Sequence, residues 1–186
     1  AMKLHEHSKY NDIHRARKSV FLFDNRVILL GSNIENRSDY ETHTTLFQNY
    51  LSDKSNISKV EKIKDSNFIL DTQNNLYKVV EGKLKYKNGL QHSLDQNKGT
   101  PTENYYEMAY INHGKNPKNQ RYQYAILVKG TKEEQEKFKK SSNYQVLQQD
   151  YNAHIVEDEI SKMRGYALFE SGDVKDKYLK SIDTPS

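Results

Sequence analysis

Arg17-Lys18-Ser19-Val20-Phe21-Leu22-Phe23-Asp24-Asn25-Arg26-Val27-Ile28-Leu29-Leu30-Gly31-Ser32-Asn33-Ile34 is the stretch that decides the fold. Val20–Phe23 and Val27–Leu30 are apolar runs of β-branched, aromatic and aliphatic residues. Asp24-Asn25 lies between them, and both residue types tolerate the positive φ of a tight hairpin turn. Gly31 closes the second run. Runs this apolar predict antiparallel strands covered on both faces, as in a sandwich core. After a short polar loop, Glu41-Thr42-His43-Thr44-Thr45-Leu46-Phe47-Gln48 supplies a third strand.

The same reading extends along the chain. Residues 1–16 are polar and carry His5, His7 and His14, which predicts a flexible or extended lead-in. Residues 49–65 read as a polar loop with one edge strand around Ile57, Val60 and Ile63. Phe68-Ile69-Leu70, Leu76–Val80 and Leu84-Lys85-Tyr86, joined by tight turns, predict a β-meander. Residues 87–104 read as a long polar loop. In the next strand Tyr105, Glu107, Ala109 and Ile111 share one face, and Tyr106, Met108 and Tyr110 the other. A turn-rich link follows at Asn112–Pro117, then a strand from Tyr122 to Val128.

One helix is expected. Thr131 and Glu134 make a capping box, and Glu133–Lys137 and Glu136–Lys140 are spaced for ion pairs. Phe138 is its single apolar anchor. Short strands at Tyr144–Leu147, Ala153–Val156 and Gly165–Phe169 complete the pattern. Strands rarely alternate with helices, which argues against a parallel α/β sheet. The expected fold is all-β: an antiparallel β-sandwich with one surface connecting helix.

Composition bounds the chemistry. The chain of 186 residues has no cysteine, which removes disulfides, thiol nucleophiles and cysteine-based metal sites. No apolar segment approaches the ~18–20 residues needed to cross a bilayer, and no nucleic-acid motif is present, so neither a membrane nor a nucleic acid is expected as partner. The net charge of +4 permits an anionic partner. Fourteen tyrosines and no tryptophan suit half-buried strands and flat polar ligands alike. Ala1 before Met2 reads as a cloning remnant, and the chain reads as a piece of a longer polypeptide.

No nucleotide loop, His-Glu-x-x-His or Gly-x-Ser-x-Gly motif occurs. The sharpest local candidate is Glu41-Thr42-His43: residues two apart on a strand share a face, so Glu41, His43 and Thr45 point the same way. Such a trio can orient a substrate, or be an ordinary solvated strand face. His113 reads as a turn histidine bonded to backbone. The tyrosines between 105 and 124 suit either a sugar platform or sheet packing. Lys115, Lys118 and Arg121 could meet sulfate groups or keep a loop soluble.

The lead stretch closely resembles the start of the central β-sandwich domain of bacterial chondroitin sulfate ABC lyases, within the glycosaminoglycan lyase family that includes hyaluronate lyases. Further points of similarity, in one order, are Phe68-Ile69-Leu70-Asp71, Gly99-Thr100-Pro101-Thr102-Glu103, Asn112-His113-Gly114 with Pro117, Tyr122 with Tyr124, Tyr144-Gln145-Val146-Leu147 and Gly165-Tyr166-Ala167. The resemblance covers nearly the whole chain, and places residues 17–186 in the sandwich domain of a larger polysaccharide lyase.

It implies β-elimination at uronic acid in chondroitin sulfate, dermatan sulfate or hyaluronan, in a secreted or periplasmic bacterial enzyme. In that family the His, Tyr and Arg that do most of the chemistry come from an upstream α/α-toroid domain, and a further β domain follows downstream. The sandwich contributes a Glu that closes the site from the other side. The family pattern puts that acid directly before Thr-Thr-Leu-Phe-Gln, where this chain has His43, with Glu41 as the nearest acid. The resemblance therefore nominates Glu41, with His43 beside it, as the site pair in a supporting role. Asn33 and Arg37 are the substrate-binding candidates. It requires no cofactor and leaves room for a divalent cation. Two rival readings stand beside it: a non-catalytic module that binds anionic polysaccharide, motivated by the Tyr-rich strands and positive charge, and a purely structural domain.

Overall fold

β2 (Arg15–Phe23) and β3 (Arg26–Glu35) form the expected hairpin, with Asp24 in the turn at φ 55°. In this computed structural model, which describes residues 1–9, 13–52 and 67–182, the hairpin lies inside a six-stranded antiparallel sheet. β1 (Met2–His5) pairs with the outer side of β2. β9 (Gln120–Leu127) pairs with β3, followed by β6 (Leu76–Glu81) and β5 (Phe68–Leu70). β4 (Glu41–Tyr50), β8 (Pro101–Lys115) and β7 (Leu84–Leu94) form a second antiparallel sheet. β10 (Tyr144–Gln149), β11 (Ala153–Asp158) and β12 (Arg164–Leu168) form a third. β13 (Gly172–Asp173) and β14 (Ser181–Ile182) make a short pair.

The six-stranded sheet is the middle layer. On one side Phe21, Phe23, Ile28 and Leu30 pack with Val156 and Ala167 of the third sheet and Phe138 of the helix α1 (Lys132–Lys140). On the other side Ile34, Tyr77, Tyr122 and Tyr124 pack with Phe47, Ala109 and Ile111 of the second sheet. β9 serves both: Ala125 and Leu127 face the third sheet, while Tyr122 and Tyr124 face the second. Gly31 is required where Tyr122 crosses β3, because a Cβ there would stand 2.1 Å from the ring.

Polar groups stitch the third sheet to the middle one. The fully buried His154 bonds Ser19 Oγ through Nδ1 and Ser32 Oγ through Nε2, both at 2.8 Å. The Gln149 amide donates to the carbonyls of Gly31 and Tyr122, each at 2.9 Å. Arg26 and Asp158 form a buried ion pair at 2.6 Å.

Several sequence expectations are corrected. β2 is covered on one face only at its outer end, where Val20 is 50% and Leu22 71% exposed. The predicted meander breaks at Gly82: β5 and β6 pair in the middle sheet, but β7 pairs with β8 in the second. The predicted loop over 87–104 is mostly the two arms of a long hairpin, with Leu94 still paired to Pro101. The arms alternate in polar side chains and leave the core behind, so apolar patterning gives no sign of them. The link at Asn112–Pro117 begins as a continuation of β8. The capping box of α1 forms as expected, but Glu136 pairs with Lys139 rather than Lys140. The edge strand expected around Ile57, Val60 and Ile63 falls on residues 53–66, outside the described residues. Among the described residues no helix is long and apolar enough to cross a membrane.

Two stability predictions follow from this packing. Gly31→Ala is expected to destabilise the chain by about 1–3 kcal/mol in denaturant unfolding, since the Tyr122 ring must be displaced; an unchanged midpoint would contradict the packing. Burial pushes the His154 imidazole down to about 4, so the unfolded chain takes up protons first as pH falls. The stability held by the neutral ring is therefore complete above about pH 6.5 and lost between there and pH 4. The expected loss is about 3 kcal/mol, smaller in His154→Gln; identical pH profiles for parent and variant would contradict it.

Candidate functional site

β3 leaves the middle sheet through a bulge. Asn33 takes a left-handed φ of 49° there, and the registers with β2 and β9 both slip between Gly31 and Glu35. The chain then crosses to the second sheet through residues 36–40 and enters β4 at Glu41. Backbone bonds pin this crossing to the turn after β8: Asn36 N donates to Pro117 O at 3.1 Å and Asn116 N to Ser38 O at 3.3 Å. The Asn36 amide also donates to Thr42 Oγ1 at 3.0 Å.

The period of β4 places Thr42 and Thr44 inward and Glu41, His43 and Thr45 outward. The expected shared face is therefore present. His43 Nε2 lies 3.3 Å from Glu41 Oε2. The pair is reachable from outside, with the His43 side chain a third exposed (33%) and that of Glu41 half (50%). His43 rests on Tyr110, with ring centroids 4.2 Å apart. Hydrogen bonds from Asn112 and then His43 hold the Glu41 carboxyl below the usual carboxylate range. β8 carries a bulge at this point: His113 and Gly114, at φ 78°, stand opposite the single residue Thr42. Asn112, opposite His43, thus reaches Glu41.

His113 is not the backbone-bonded turn histidine expected. It lies within β8, faces inward and meets Thr44 Oγ1 at 2.9 Å through Nε2. Burial, reinforced by Lys18, pushes it down to about 4, which makes it a neutral packing group at pH 7.

The two substrate-binding candidates fall close by but apart from the pair. Arg37 lines a groove of about 920 Å³ with Arg15, Glu35, Asn36, Asn116 and Lys118, three cations against one carboxylate. Asn33 lines a smaller depression with Lys3, Arg17 and Tyr151, and donates to Asn119 Oδ1 at 3.0 Å. Its own Oδ1 is buried without a hydrogen-bond partner. Lys3 and Arg17 there are held by Glu170, at 2.9 and 2.6 Å. The structure thus brings Glu41 and His43 into contact, and puts Arg37 on the crossing that leads to them. Lys118 lines the groove, whereas Lys115 pairs in register with Glu41, and Arg121 lies 3.4 Å from Glu81. Tyr122 and Tyr124 are core residues, while Tyr106 and Tyr110 face outward. Among the described residues no group of three or more His, Asp or Glu side chains is placed to hold a metal ion.

Sequence reasoning missed Asn112 and Arg15, and left Tyr110 open between a sugar platform and sheet packing. Tyr110 and Asn112 sit at period two on β8, a visible signal, but the register that sets them beside His43 and Glu41 is not local.

The comparisons with known proteins agree with this architecture. The profile of polysaccharide lyase family 8, super-sandwich domain, matches residues 1–139. The chain belongs to polysaccharide lyase family 8. Within that family it is 40% identical to a chondroitin sulfate ABC exolyase of Proteus vulgaris, over 100% of this chain and 20% of the relative. It is also 40% identical to a chondroitin sulfate ABC exolyase of Bacteroides thetaiotaomicron, over 91% of this chain and 17% of the relative. The chain thus spans about a fifth of the length of these lyases. A chondroitinase AC lyase structure shares the fold at TM-score 0.75 and 20% identity, covering 95% of this chain and 28% of that one. The matched residues hold the whole six-stranded sheet and the second sheet.

The Glu41 environment is testable directly. Asn112→Ala is expected to raise the Glu41 titration midpoint, read by carboxyl carbon NMR, toward the ordinary glutamate value. An unmoved midpoint would show that Asn112 does not hold this carboxylate.

Proposed function

We propose that this super-sandwich domain forms one wall of a glycosaminoglycan-cleaving centre, and that Glu41 and His43 are the side chains it presents there. The supporting observation is the solvent-reachable Glu41–His43 pair, seated on Tyr110 at the start of β4.

The reaction is β-elimination at a uronate. A base takes the C5 proton, the C5–H electrons form the C4–C5 double bond, the C4–O bond breaks, and the leaving oxygen takes a proton. The difficulty is the uronate carboxylate, whose negative charge opposes carbanion character at C5, so the site must neutralise it. Glu41 and His43 supply neither that neutralisation nor a complete acid and base pair around a bound sugar. Their role is positioning: the Glu41 carboxylate, kept ionised by Asn112 and His43, accepts hydrogen bonds from groups of the facing domain and of the sugar. Arg37, with Arg15 and Lys118 along the neighbouring groove, binds substrate carboxylate or sulfate, and Asn33, in the smaller depression, is the second substrate contact.

The base, the acid and the main cation come from an upstream helical toroid domain of the same polypeptide, and a downstream β domain completes the enzyme. The substrate class is chondroitin or dermatan sulfate or hyaluronan, and the enzyme works outside the cytoplasm, secreted or periplasmic.

The test is ultraviolet absorbance of the unsaturated uronate product. This chain alone is expected to give no signal, and a polypeptide that includes the upstream domain is expected to give one. In that polypeptide Glu41→Gln lowers kcat by roughly 100-fold, and Arg37→Ala raises KM about tenfold with a smaller effect on kcat. Cleavage by this chain alone, or an unchanged kcat in Glu41→Gln, would overturn the proposal.

A further inference from the structure

The outer face of the second sheet has a composition that its role in packing does not require. Strand register sets Thr45, Gln48 and Tyr50 of β4 opposite Tyr110, Met108 and Tyr106 of β8. On the other side of β8, Lys85, Lys87 and Gly89 of β7 stand opposite the same three residues. A β4 bulge preserves this alignment. Leu46 and Phe47 both turn into the core, so Gln48 and Tyr50 stay outward in phase with Thr45.

The result is a strip with three parallel rows. The centre row is Tyr110, Met108 and Tyr106, each half-buried. One flank is basic, with Lys85 and Lys87 both exposed. The other is polar, with His43, Thr45 and Gln48. At Gly89 nothing lies within 4 Å of where a Cβ would stand, so the β7 side of Tyr106 is open. Past Tyr106 the strip continues as a groove of about 610 Å³ lined by Gln48, Gln91, Ser93, Thr102 and Asn104, with His92 and one carboxylate, Glu103, at its far end. One end of the strip is the Glu41–His43 pair, where His43 lies on Tyr110.

Carboxylates are kept off its middle. Glu107 turns inward and is held by Asn49, Thr72 and Tyr86. Glu103, at the far end, is paired with His92 at 3.3 Å. Between Glu41 and that end, the outward side chains of these strands carry positive charge, amides, hydroxyls and ring faces.

We infer that this strip is an extended binding track for an acidic polysaccharide, running on from the Glu41–His43 pair. The inference rests on the proposed glycosaminoglycan reading and deepens it by adding a site away from the cleavage point. Each row meets one feature of such a chain. Sugar C–H faces pack flat on aromatic rings, amides and hydroxyls take up sugar hydroxyls, and the lysines meet carboxylate or sulfate. A protein partner suits this strip poorly, since interface cores are depleted in lysine. Val20 and Leu22 on the middle sheet are the kind of exposed apolar surface that a neighbouring protein layer covers.

The test is binding of chondroitin sulfate oligosaccharides to this chain by calorimetry, with a neutral glucan of equal length as control. Lys87→Glu and Tyr106→Ala are each expected to weaken binding about tenfold at low salt. Circular dichroism should be unchanged, and the glucan should bind far more weakly than the acidic chain. Parent-like affinity in both variants, with binding lost in Arg37→Glu, would place recognition wholly in the groove at the β3–β4 crossing. That outcome overturns the track and leaves the proposed function standing. Equal affinity for the neutral glucan, or no binding at low salt, would also overturn the track. Failure of the proposed function shows instead as an unchanged kcat in Glu41→Gln.

Discussion

β3 has apolar side chains on both faces, Ile28 and Leu30 on one and Leu29 on the other, and neither face can be left in water. Each buried side chain of this size contributes about 1.5–3 kcal/mol, so the strand needs a layer above and a layer below. The third sheet and α1 supply one, and the second sheet supplies the other. The second sheet covers only part of its face, the part around Ile34, Tyr122 and Tyr124, because β4 must start where the crossing from β3 delivers it. The candidate site sits at that delivery point.

Polar contacts then fix what apolar burial leaves loose. Glu107, fully buried on β8, accepts from Asn49 of β4 and from Thr72 in the β5–β6 turn. Asp71 accepts from the backbone of Gln73 and Asn75 in the same turn. The Thr72–Glu107 bonds tie the second sheet to the β5–β6 turn of the middle one, while Asn36 and Asn116 tie it at the candidate site. A buried carboxylate left without its donors is costly, so each of these contacts specifies the arrangement as well as stabilising it. The β4 and β8 bulges work within that frame. They shift phase so that Glu41, His43, Gln48 and Tyr50 all face outward from one strand.

Much of this was legible in the chain. The β2–β3 hairpin, the capping box at Thr131 and the two faces of β8 followed from local rules, because turn chemistry and period two are local. The shared face of Glu41 and His43 was legible for the same reason. Sheet membership was not. Gly82 lets the chain leave the middle sheet for the second, and nothing near it in sequence says which strand β7 will join. The arms of the β7–β8 hairpin were invisible because they extend past the core and alternate between polar residues. Thr44 and His113 meet across 69 positions of sequence, and the contacts of Asn112 and Tyr110 depend on the same long-range register. The family resemblance nominated Glu41 and His43 at the start of β4, but only the register shows which side chains of β8 lie against them.

The central claim is that strand β4 faces bound substrate at Glu41 and His43. The measurement that tests it most directly is a crystal structure of a longer polypeptide carrying the proposed upstream domain, with an uncleaved uronate-containing oligosaccharide bound. The account predicts the Glu41 carboxylate within hydrogen-bond reach of the sugar or of a catalytic side chain of the facing domain, with His43 still resting on Tyr110. A bound oligosaccharide with Glu41 and His43 pointing away from both it and the facing domain would contradict it.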